Sequence, residues 1–474
     1  MKFHIRARAL KHVARRSMMT RVFRRGLTAA AALAVYPAES HGQQRAQEPV
    51  ALDSLVARAI ATNPDIAAAR NRFTAMRARI APAGSRPDPM LMAGLINVPV
   101  NNFSLSDDDM TMKMIGVSQT VPYPGKLRLA RRIAELQADA QTVVTDSIRL
   151  SVIREVKTAY YEVAYIDAAL QTARRTDSLA ATVIKAASLR YSAGRGSQQD
   201  VLRATLEASR LNDSANELIE RRRALIERIG ALLGDTKPLL NDAKLPAKLV
   251  SAAVDSNPST IRFSSQILGA SVADGPLPPL AELQTRAVAG SPQIRSQLAM
   301  NAITAAELEL ARRQHLPDID LSFQYGQRSA MTGTDNRKIG RPDMVSFVVS
   351  IPIPVQRASR QGALVAAARA DVVTGDSERR ASEALVRSEV SRLYSDVSRA
   401  RTQLALYVKA LVPQARASLA SSVNAYQSGT GDLTVVLDAQ RTLLDMEVGY
   451  SRSMTDFAQK IAELDSMIGQ EVLP

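Results

Sequence analysis

Side chains that could bind a metal are few and poorly spaced in this sequence. Cysteine is absent, and His315 is the single histidine after residue 42. A metal site needs several ligands close together, and His315 has no partner at ligand spacing. Met110, Met112 and Met114 occupy alternate positions, which is the period of one face of a β-strand. They therefore predict an apolar strand face and not a copper site, and the sequence predicts no metal site.

The sequence also lacks the motifs of common enzyme classes. It contains no phosphate-binding glycine loop, no dinucleotide fingerprint, no nucleophile motif and no paired histidines. We therefore predict that the protein is not an enzyme and uses no cofactor.

About half of the net positive charge lies at the start of the chain. The formal net charge is +15, but residues 1–42 hold nine Lys or Arg against one acid, and removing them leaves +7. A nucleic-acid-binding function loses its main support with that segment, so we predict no nucleic-acid partner. The segment has a basic stretch up to Arg25, an apolar run over residues 27–35 and small residues near Gly42. These features predict a signal peptide over residues 1–42, cleaved on export.

The two halves of the remaining chain resemble each other in three blocks that follow in the same order. The blocks pair Pro64 with Pro292, Asp88 with Asp318, Pro122 with Pro352, Pro124 with Pro354, Tyr191 with Tyr426, and Gly194 with Gly429. The distance between partners drifts slowly from 228 to 235 residues. We predict a first structural repeat over residues 43–235, a connector over 236–279, a second repeat over 280–470 and a C-terminal tail over 471–474.

Each repeat contains one predicted β-hairpin, at about residues 90–121 and 319–353. Apolar and polar residues alternate along these segments, as in Ile319, Leu321 and Phe323. Strands of this length can cross a bilayer when they are tilted, although a soluble sheet gives the same pattern. Four strands cannot close a membrane barrel, and an open edge in lipid would leave backbone groups without partners. We therefore predict that several chains contribute strands to one barrel.

Each hairpin of strands precedes a hairpin of unusually long helices, over about residues 125–233 and 356–468. Apolar residues recur at alternating spacings of three and four, for example at Val156, Val163, Val390 and Val397, which is typical of a coiled-coil seam. A helix of some 65 residues would be about 100 Å long. Charged residues between the seam positions predict a solvated or lumen-facing surface with no binding role; they are Arg154, Lys157, Arg387 and Arg392.

Turn motifs between the long helices give the most specific family signal. One begins at Tyr191 and runs through Gly194 to Asp200, Val201 and Leu202, and the other begins at Tyr426. Both resemble the Tyr-x-x-Gly-x-x-x-x-x-Asp-Val-Leu signature of the TolC-like outer-membrane efflux proteins. The resemblance covers nearly all of residues 50–470.

This resemblance implies a fold and a set of partners. The fold class is mainly α with membrane β: three chains would each give four strands to a twelve-stranded β-barrel and long antiparallel helices to a periplasmic α-barrel. The implied partners are a periplasmic adaptor protein, a proton-driven inner-membrane pump, and outer-membrane lipid. The implied function is an outer-membrane channel that serves as the passive exit duct of a tripartite efflux pump.

The resemblance also implies roles for individual residues. Adaptor-contacting tips map to Ser192, Ala193, Gly194, Arg195, Gly196, Ser428, Gly429, Thr430 and Gly431. Asp200 and Tyr426 match a latch pair that links neighbouring helices, and Asp438 matches an acidic ring at the tunnel aperture. Val435 and Gly431 depart from the family pattern, where a second acid and a latch arginine are expected, which predicts a weaker latch and a less cation-selective aperture.

A strand-to-helix switch is predicted after each hairpin, at Pro122, Pro124 and Gly125 and at Pro352 and Pro354. The first switch, which continues into Lys126, resembles the Pro-x-Pro-Gly-Lys turn of the CzcC-like heavy-metal efflux branch. The open alternatives are an exit duct for type I protein secretion and a periplasmic coiled-coil scaffold. The scaffold explains the helices but not the duplicated strand hairpins.

Overall fold

The structure is a computed structural model that describes residues 52–101, 103–235, 277–332 and 337–472. The predicted signal peptide and nearly all of the predicted connector lie outside these residues, as does the end of the predicted C-terminal tail. The described part of the chain is mostly helical.

In the first half of the chain, two short helices precede a strand pair and a pair of long helices. The elements are α1 (Leu52–Thr62), α2 (Pro64–Gly84), β1 (Met90–Ile96), β2 (Met112–Val121), α3 (Lys126–Ser192) and α4 (Gln198–Leu232). Asn63 separates α1 from α2, and its side chain accepts hydrogen bonds from the backbone N–H groups of Asp65 and Ile66. It therefore caps α2 in the way expected of an asparagine before Pro64.

The second half repeats this order with small additions. The elements are α5 (Leu280–Gly290), α6 (Pro292–Gln314), β3 (Ile319–Gln327), β4 (Met331–Thr332), β5 (Lys338–Ile339), β6 (Met344–Ser350), a π-helical segment (Arg357–Gly362), α7 (Ala363–Leu406), a second π-helical segment (Tyr407–Leu411), α8 (Val412–Ser428) and α9 (Leu433–Ile468). β4 and β5 pair only with each other, within the loop of the second strand hairpin.

Helix α3 runs without interruption for 67 residues, which corresponds to about 100 Å at 1.5 Å per residue. It contains neither glycine nor proline, so nothing in its interior interrupts the hydrogen-bond ladder. None of the helices in the described part of the chain has an apolar stretch long enough to span a membrane.

The corresponding helix of the second half is not a single α-helix as predicted. A π-helical segment at Arg357–Gly362 begins it, and a second at Tyr407–Leu411 interrupts it two residues before Pro413. Proline has no N–H to donate to the carbonyl of Lys409, and its ring crowds that carbonyl. A local widening of the helix relieves this conflict and lets the chain continue into α8.

Four strands form one antiparallel sheet in the order β1-β2-β3-β6. The two strand hairpins are therefore joined by pairing of β2 with β3, in which Val117 lies opposite Phe323. β1 and β6 are the edges of this sheet. The predicted strand at Met110 begins two residues later, because Thr111 is buried and its hydroxyl donates to the carbonyl of Asn97.

The helices bury two separate apolar cores near the junction with the short helices. One contains Val156 and Val163 of α3 with Ile66 of α2, and the other contains Val390 and Leu393 of α7 with Leu283 of α5. Of the seam residues named above, Val156, Val163 and Val390 lie in these cores, and Val397 lies in a separate cluster with Phe457. One charged residue between them differs from the prediction, since Lys157 is largely buried and forms ion pairs with Asp465 and Glu471.

Candidate functional site

Two helix turns form the tips of the long hairpins, one between α3 and α4 and the other between α8 and α9. Gly194 and Gly429 adopt the left-handed conformation, with φ values of 70° and 85°. A β-carbon at either position would meet nothing within 4 Å, so the backbone conformation and not space requires glycine. The tip backbone is consequently open to contact by another molecule.

Most of the predicted tip residues are exposed: Ser192, Ala193, Gly194, Arg195, Ser428, Gly429 and Thr430. Gly196 and Gly431 are half-buried because the chain returns closely over the preceding helix. A β-carbon on Gly431 would lie 2.9 Å from the backbone N of Tyr426, and one on Gly196 would lie 3.1 Å from that of Tyr191. Adaptor binding at these tips stays a prediction.

Asp200 acts as a helix cap in this chain. Ser197 and Asp200 form a capping box at the start of α4, in which the Asp200 backbone N–H donates to the Ser197 hydroxyl and the Ser197 N–H donates to the Asp200 carboxylate. Across the described residues, no hydrogen bond joins Asp200 to Tyr426. The latch between these two residues therefore stays a prediction about an assembly of chains.

Arg190, which the sequence analysis did not identify, covers the ring of Tyr426 at the tip. The Arg190 guanidinium lies 4.5 Å from the centroid of the Tyr426 ring, and its Nη1 donates to the Tyr426 carbonyl at 3.0 Å. Ala187, Leu433 and Val436 complete the surrounding cluster. This contact joins α3 to α8, and the signal that could have found it is the arginine directly before the Tyr191 motif, where the Tyr426 motif has Ala425.

Asp438 is exposed on the second turn of α9. Within the ranges that the structure describes, no cation forms an ion pair with its carboxylate. Its side chain is thus free for solvent or a neighbouring chain, and its place in an acidic aperture stays a prediction.

The first strand-to-helix switch is tied to the second half of the chain. Gly125 has a φ of 95° and is the N-cap residue directly before α3, and Pro122 and Pro124 lie between β2 and Gly125. Lys126 Nζ donates to Asp318 Oδ1 at 2.8 Å and to the Leu316 carbonyl at 2.6 Å. The lysine of the Pro-x-Pro-Gly-Lys turn thus has a structural role that explains its presence.

Asp318 also accepts a 2.7 Å hydrogen bond from the Tyr123 backbone N–H. Partial burial acts to raise the pKa of the Asp318 carboxyl, but the hydrogen bond from Lys126 and that from Tyr123 outweigh it, and the pKa lies below its usual range. The second switch has no such clamp among the described residues: Pro352 is exposed, Pro354 is half-buried, and Val355 and Gln356 follow where the first switch has Gly125 and Lys126.

The Asp318→Asn variant should lower stability at neutral pH by about 1 kcal/mol, because the ion pair with Lys126 becomes a hydrogen bond from the ammonium to a neutral amide. Since the pKa of Asp318 is lower in the folded state, its contribution is complete above the ordinary aspartate pKa and is lost as pH falls through the lowered value. Thermal unfolding in detergent at several pH values measures this. The difference from wild type should disappear in acid, and it should be small in the Lys126→Met background. A difference that persists in acid would show that packing and not charge is responsible.

The four-stranded sheet has two chemically different faces. Residues paired across the strands share a face, and the register assigns one face to Leu91, Ala93, Leu95, Ile115, Val117, Leu321, Phe323, Tyr325, Val345, Phe347 and Val349. We call this the apolar face; Lys113, Gln119 and Gln327 occur only at its ends. Most of its large side chains are exposed, including Leu91 at 72% and Phe347 at 68%.

The opposite face, which we call the polar face, carries all the serine side chains of the sheet together with Thr120, Asp320 and Gln324; its polar members are Ser118, Thr120, Asp320, Ser322, Gln324, Ser346 and Ser350. The same register also places apolar residues and glycines on this face: Met90, Met92, Gly94, Ile96, Gly116, Gly326, Met344 and Val348. The polar side chains are therefore concentrated on the half of β2, β3 and β6 that lies nearest the helices. Met112 and Met114 share a strand face as predicted, but it is this one, and Met110 precedes the strand. The Met112 side chain fills the space above Gly326, where a β-carbon would lie 2.5 Å from its sulfur. The methionines therefore do not form the apolar face.

A charged cavity of about 610 Å³ lies between the long helices. At its base, Glu162 is nearly buried and accepts hydrogen bonds from Arg221, Arg452 and Gln459, on α4 and α9. Its carboxylate is therefore saturated by protein groups, and the network joins α3 to α4 and α9. In the described part of the chain, no group of three or more His, Asp or Glu residues could hold a metal ion.

Comparison with known proteins gives a consistent result. The family model described as "Outer membrane efflux protein" matches residues 55–234 and 283–470. The chain is 22% identical over 437 residues to the cobalt-zinc-cadmium resistance protein CzcC of Cupriavidus metallidurans, and the match covers 92% of each protein.

Solved structures share the fold. The outer-membrane channel OprN superposes with a TM-score of 0.69 at 19% identity, covering 89% of this chain and 91% of that one. CusC superposes with a TM-score of 0.69 at 16% identity, covering 89% and 92%.

Proposed function

This chain belongs to the outer membrane efflux protein family, and we propose that it is the channel of a tripartite efflux pump, the passive exit duct through which toxic solutes leave the cell. The family assignment rests on matches to both halves of the chain. We propose an outer-membrane location with a long periplasmic extension, reached by export through the predicted signal peptide. The family model is described as an efflux protein and OprN as an outer-membrane channel, which supports the proposal that this chain is a channel and not an enzyme.

The observation that carries the proposal is the division of the sheet into an apolar and a polar face. An exposed row such as Leu91, Val117, Phe323 and Phe347 is costly in water but stable against lipid acyl chains. The polar face would then line a water-filled lumen. A coiled-coil scaffold in the periplasm gives no reason for a face of this kind.

The free edges of the sheet support a trimer. β1 and β6 each present one side without a strand partner in the sheet, and lipid does not tolerate unpaired backbone groups. Pairing of β6 with β1 of another copy would satisfy them. Three copies give a closed barrel of twelve strands, which lies within the range of membrane barrels.

The long helices would continue the barrel into the periplasm. Helix α3 alone is long enough to extend about 100 Å from its switch at Gly125 to the tip at Gly194. We propose that a periplasmic adaptor protein contacts the open tip backbones and connects the tunnel to an inner-membrane pump. The pump would supply the energy, because nothing in the described residues forms a site for an energy-rich substrate.

We propose divalent metal cations as the transported class, supported by the match to a cobalt-zinc-cadmium resistance protein over almost the whole chain. The Pro-x-Pro-Gly-Lys turn gives no further support for a metal cargo, because the ion pair between Lys126 and Asp318 explains the lysine by a structural role. Drug-like compounds and secreted polypeptides are the alternative cargoes.

Deletion of the gene should test cargo and location together. We expect growth inhibition by cobalt, zinc or cadmium salts to increase selectively in the deletion strain, with no change toward dyes, detergents or antibiotics. Broad drug sensitivity would instead assign the channel to drug efflux. The protein should also remain with the outer membrane after alkaline washing, whereas a scaffold would be released.

A further inference from the structure

The charged cavity between the long helices lies on the concave side of a row of four helices. These helices contact one another in the order α4, α3, α9 and α7, and all four of them line the cavity. The two end helices of a row can share one cavity only on the side toward which the row curves. In a tunnel closed by several copies that side is the inside, so the cavity would open to the proposed lumen.

The position of the short helix α1 agrees with this placement. Val156 and Tyr160 of α3 belong to a core that also contains Leu55 and Ala59 of α1. Thr158 lies between them in sequence and lines the cavity. Two residues along a helix are about 200° apart around its axis. Helix α1 is therefore on the far side of α3 from the cavity, where it would leave a tunnel unobstructed.

The cavity wall contains more guanidinium groups than carboxylates. Its charged residues are five arginines and four glutamates, namely Arg154, Arg221, Arg228, Arg392, Arg452, Glu155, Glu162, Glu389 and Glu463. A guanidinium group remains protonated in proteins and has five N–H donors. The wall therefore carries one positive charge that its own carboxylates do not neutralise.

Every glutamate in the wall already has a cation partner. The ion pairs are Glu155 with Arg228, Glu162 with Arg221 and Arg452, Glu389 with Arg392, and Glu463 with Lys460. Glu162 is 8% exposed and shares its single charge between two guanidinium groups. These carboxylates are neutralised by protein groups, so the wall does not favour a free metal cation.

Arg154 is the arginine of this wall that has no carboxylate partner. Its Nη2 donates to the Ser151 hydroxyl at 3.3 Å, and in the part of the chain that the structure describes it forms no ion pair. The side chain is half-buried, so its charge is partly shielded from water. The charge pattern of the sequence predicted no binding role for Arg154, but the cavity places its unneutralised charge among four other arginines.

We propose that this cavity binds a small anion that carries two or more carboxylate or phosphate groups. A guanidinium group pairs with either group through parallel hydrogen bonds. Arg154 would bind the anion together with arginines of the neighbouring helices. The location of the site inside a tunnel rests on the proposed function. A bound anion would there neutralise the surplus charge that divalent cations meet on their way out.

Titration calorimetry on the purified protein in detergent tests the site, with citrate and inorganic phosphate as separate probes. We expect saturable binding of at least one probe at physiological ionic strength, which screens weak attraction at exposed surfaces. Citrate binding alone would assign a polycarboxylate ligand, and phosphate binding alone would assign a phosphate ligand. Absence of saturable binding of both probes would overturn the proposal.

Arg154→Gln should weaken the binding about fivefold to tenfold, between the ranges of an exposed ion pair and of a buried hydrogen bond to a charge. The variant leaves no carboxylate without a partner, because Arg154 pairs with none among the described residues, so we expect it to fold. Its folding can be checked by helical circular dichroism.

Arg149→Gln is the matched control. Arg149 lies on the same helix, is exposed and does not line the cavity. The substitution removes the same charge and should leave the affinity for the anion unchanged. Equal weakening by Arg149→Gln and Arg154→Gln would mean that the net charge of the protein attracts the anion, and the proposed site would then be wrong.

Conductance in a planar bilayer separates the site from the proposed function. The anion that binds should reduce the conductance of the wild-type channel, and it should do so at lower concentration than in Arg154→Gln. If wild type conducts ions but binds neither probe, the channel stands and the site fails. If it binds a probe but forms no conducting pore, the site stands and the proposed function fails.

Discussion

Phe347→Arg should keep the protein out of the outer membrane. Phe347 is 68% exposed on the apolar face, at the middle of β6, and lies opposite Phe323 on the neighbouring strand. An arginine facing lipid near the bilayer midplane costs about 2–4 kcal/mol, and a trimer bears this cost in each copy. We expect a large loss of the protein that resists alkaline extraction from outer membranes, together with loss of the efflux phenotype.

The neighbouring residue provides a matched control. Ser346 is adjacent in β6 but lies on the polar face, opposite Gln324. Ser346→Arg adds the same side chain to the same strand and should insert normally, because the lumen is hydrated. It should reduce the conductance of cations through the barrel.

The pair of variants decides how the sheet is oriented. Equal insertion of Phe347→Arg and Ser346→Arg would contradict a lipid-facing apolar surface. Insertion of Phe347→Arg together with exclusion of Ser346→Arg would mean that the faces are reversed. Either result would remove the main support for the proposed barrel.

Gly469→Ala should destabilise the junction between α9 and the short helices by about 2–4 kcal/mol. Gly469 ends α9 with a φ of 79°, where an L-residue is strained. A β-carbon there would lie 2.7 Å from the backbone oxygen of Gly290, which cannot move without shifting α5. The first half has the same arrangement, since a β-carbon on Gly234 would lie 2.6 Å from the Thr62 oxygen.

Gly429→Ala separates the two contributions to this cost. Gly429 has a similar φ of 85°, but a β-carbon there would meet nothing within 4 Å. It should therefore lose only about 1 kcal/mol, the cost of the left-handed conformation. Thermal unfolding followed by helical circular dichroism in detergent measures both variants. Equal losses would mean that contact with Gly290 contributes nothing.

The sequence alone was enough to locate most of the elements. Alternation at Ile319, Leu321 and Phe323 predicted a strand that the structure has at Ile319–Gln327, and the seam through Val156 and Val163 predicted α3. Glycines at the tips predicted turns that occur at Gly194 and Gly429. These features depend on residues a few positions apart, so periodicity and turn chemistry are sufficient to reveal them.

Some local details still escaped prediction. The seam pattern predicted a continuous helix through Pro413, but the structure has a π-helical segment before that proline. The helix accommodates the proline by widening locally and does not end there. The spacing of apolar residues indicates which face of a helix is buried, but it does not distinguish α-helical from π-helical hydrogen bonding. Met112 and Met114 were correctly predicted to share a face, but their side chain chemistry did not identify which one.

Only the tertiary structure decided which surfaces meet. The pairing of β2 with β3 assigns Val117, Phe323 and Phe347 to one apolar row, and the fold brings Lys126 to Asp318 and Arg190 to Tyr426. The β2–β3 pairing, the Lys126–Asp318 ion pair and the Arg190–Tyr426 contact each join residues from different halves of the chain. Repeat similarity gave Tyr191 and Tyr426 the same local structure, but burial depends on the neighbouring surface, and a single chain provides that surface for Tyr426 alone.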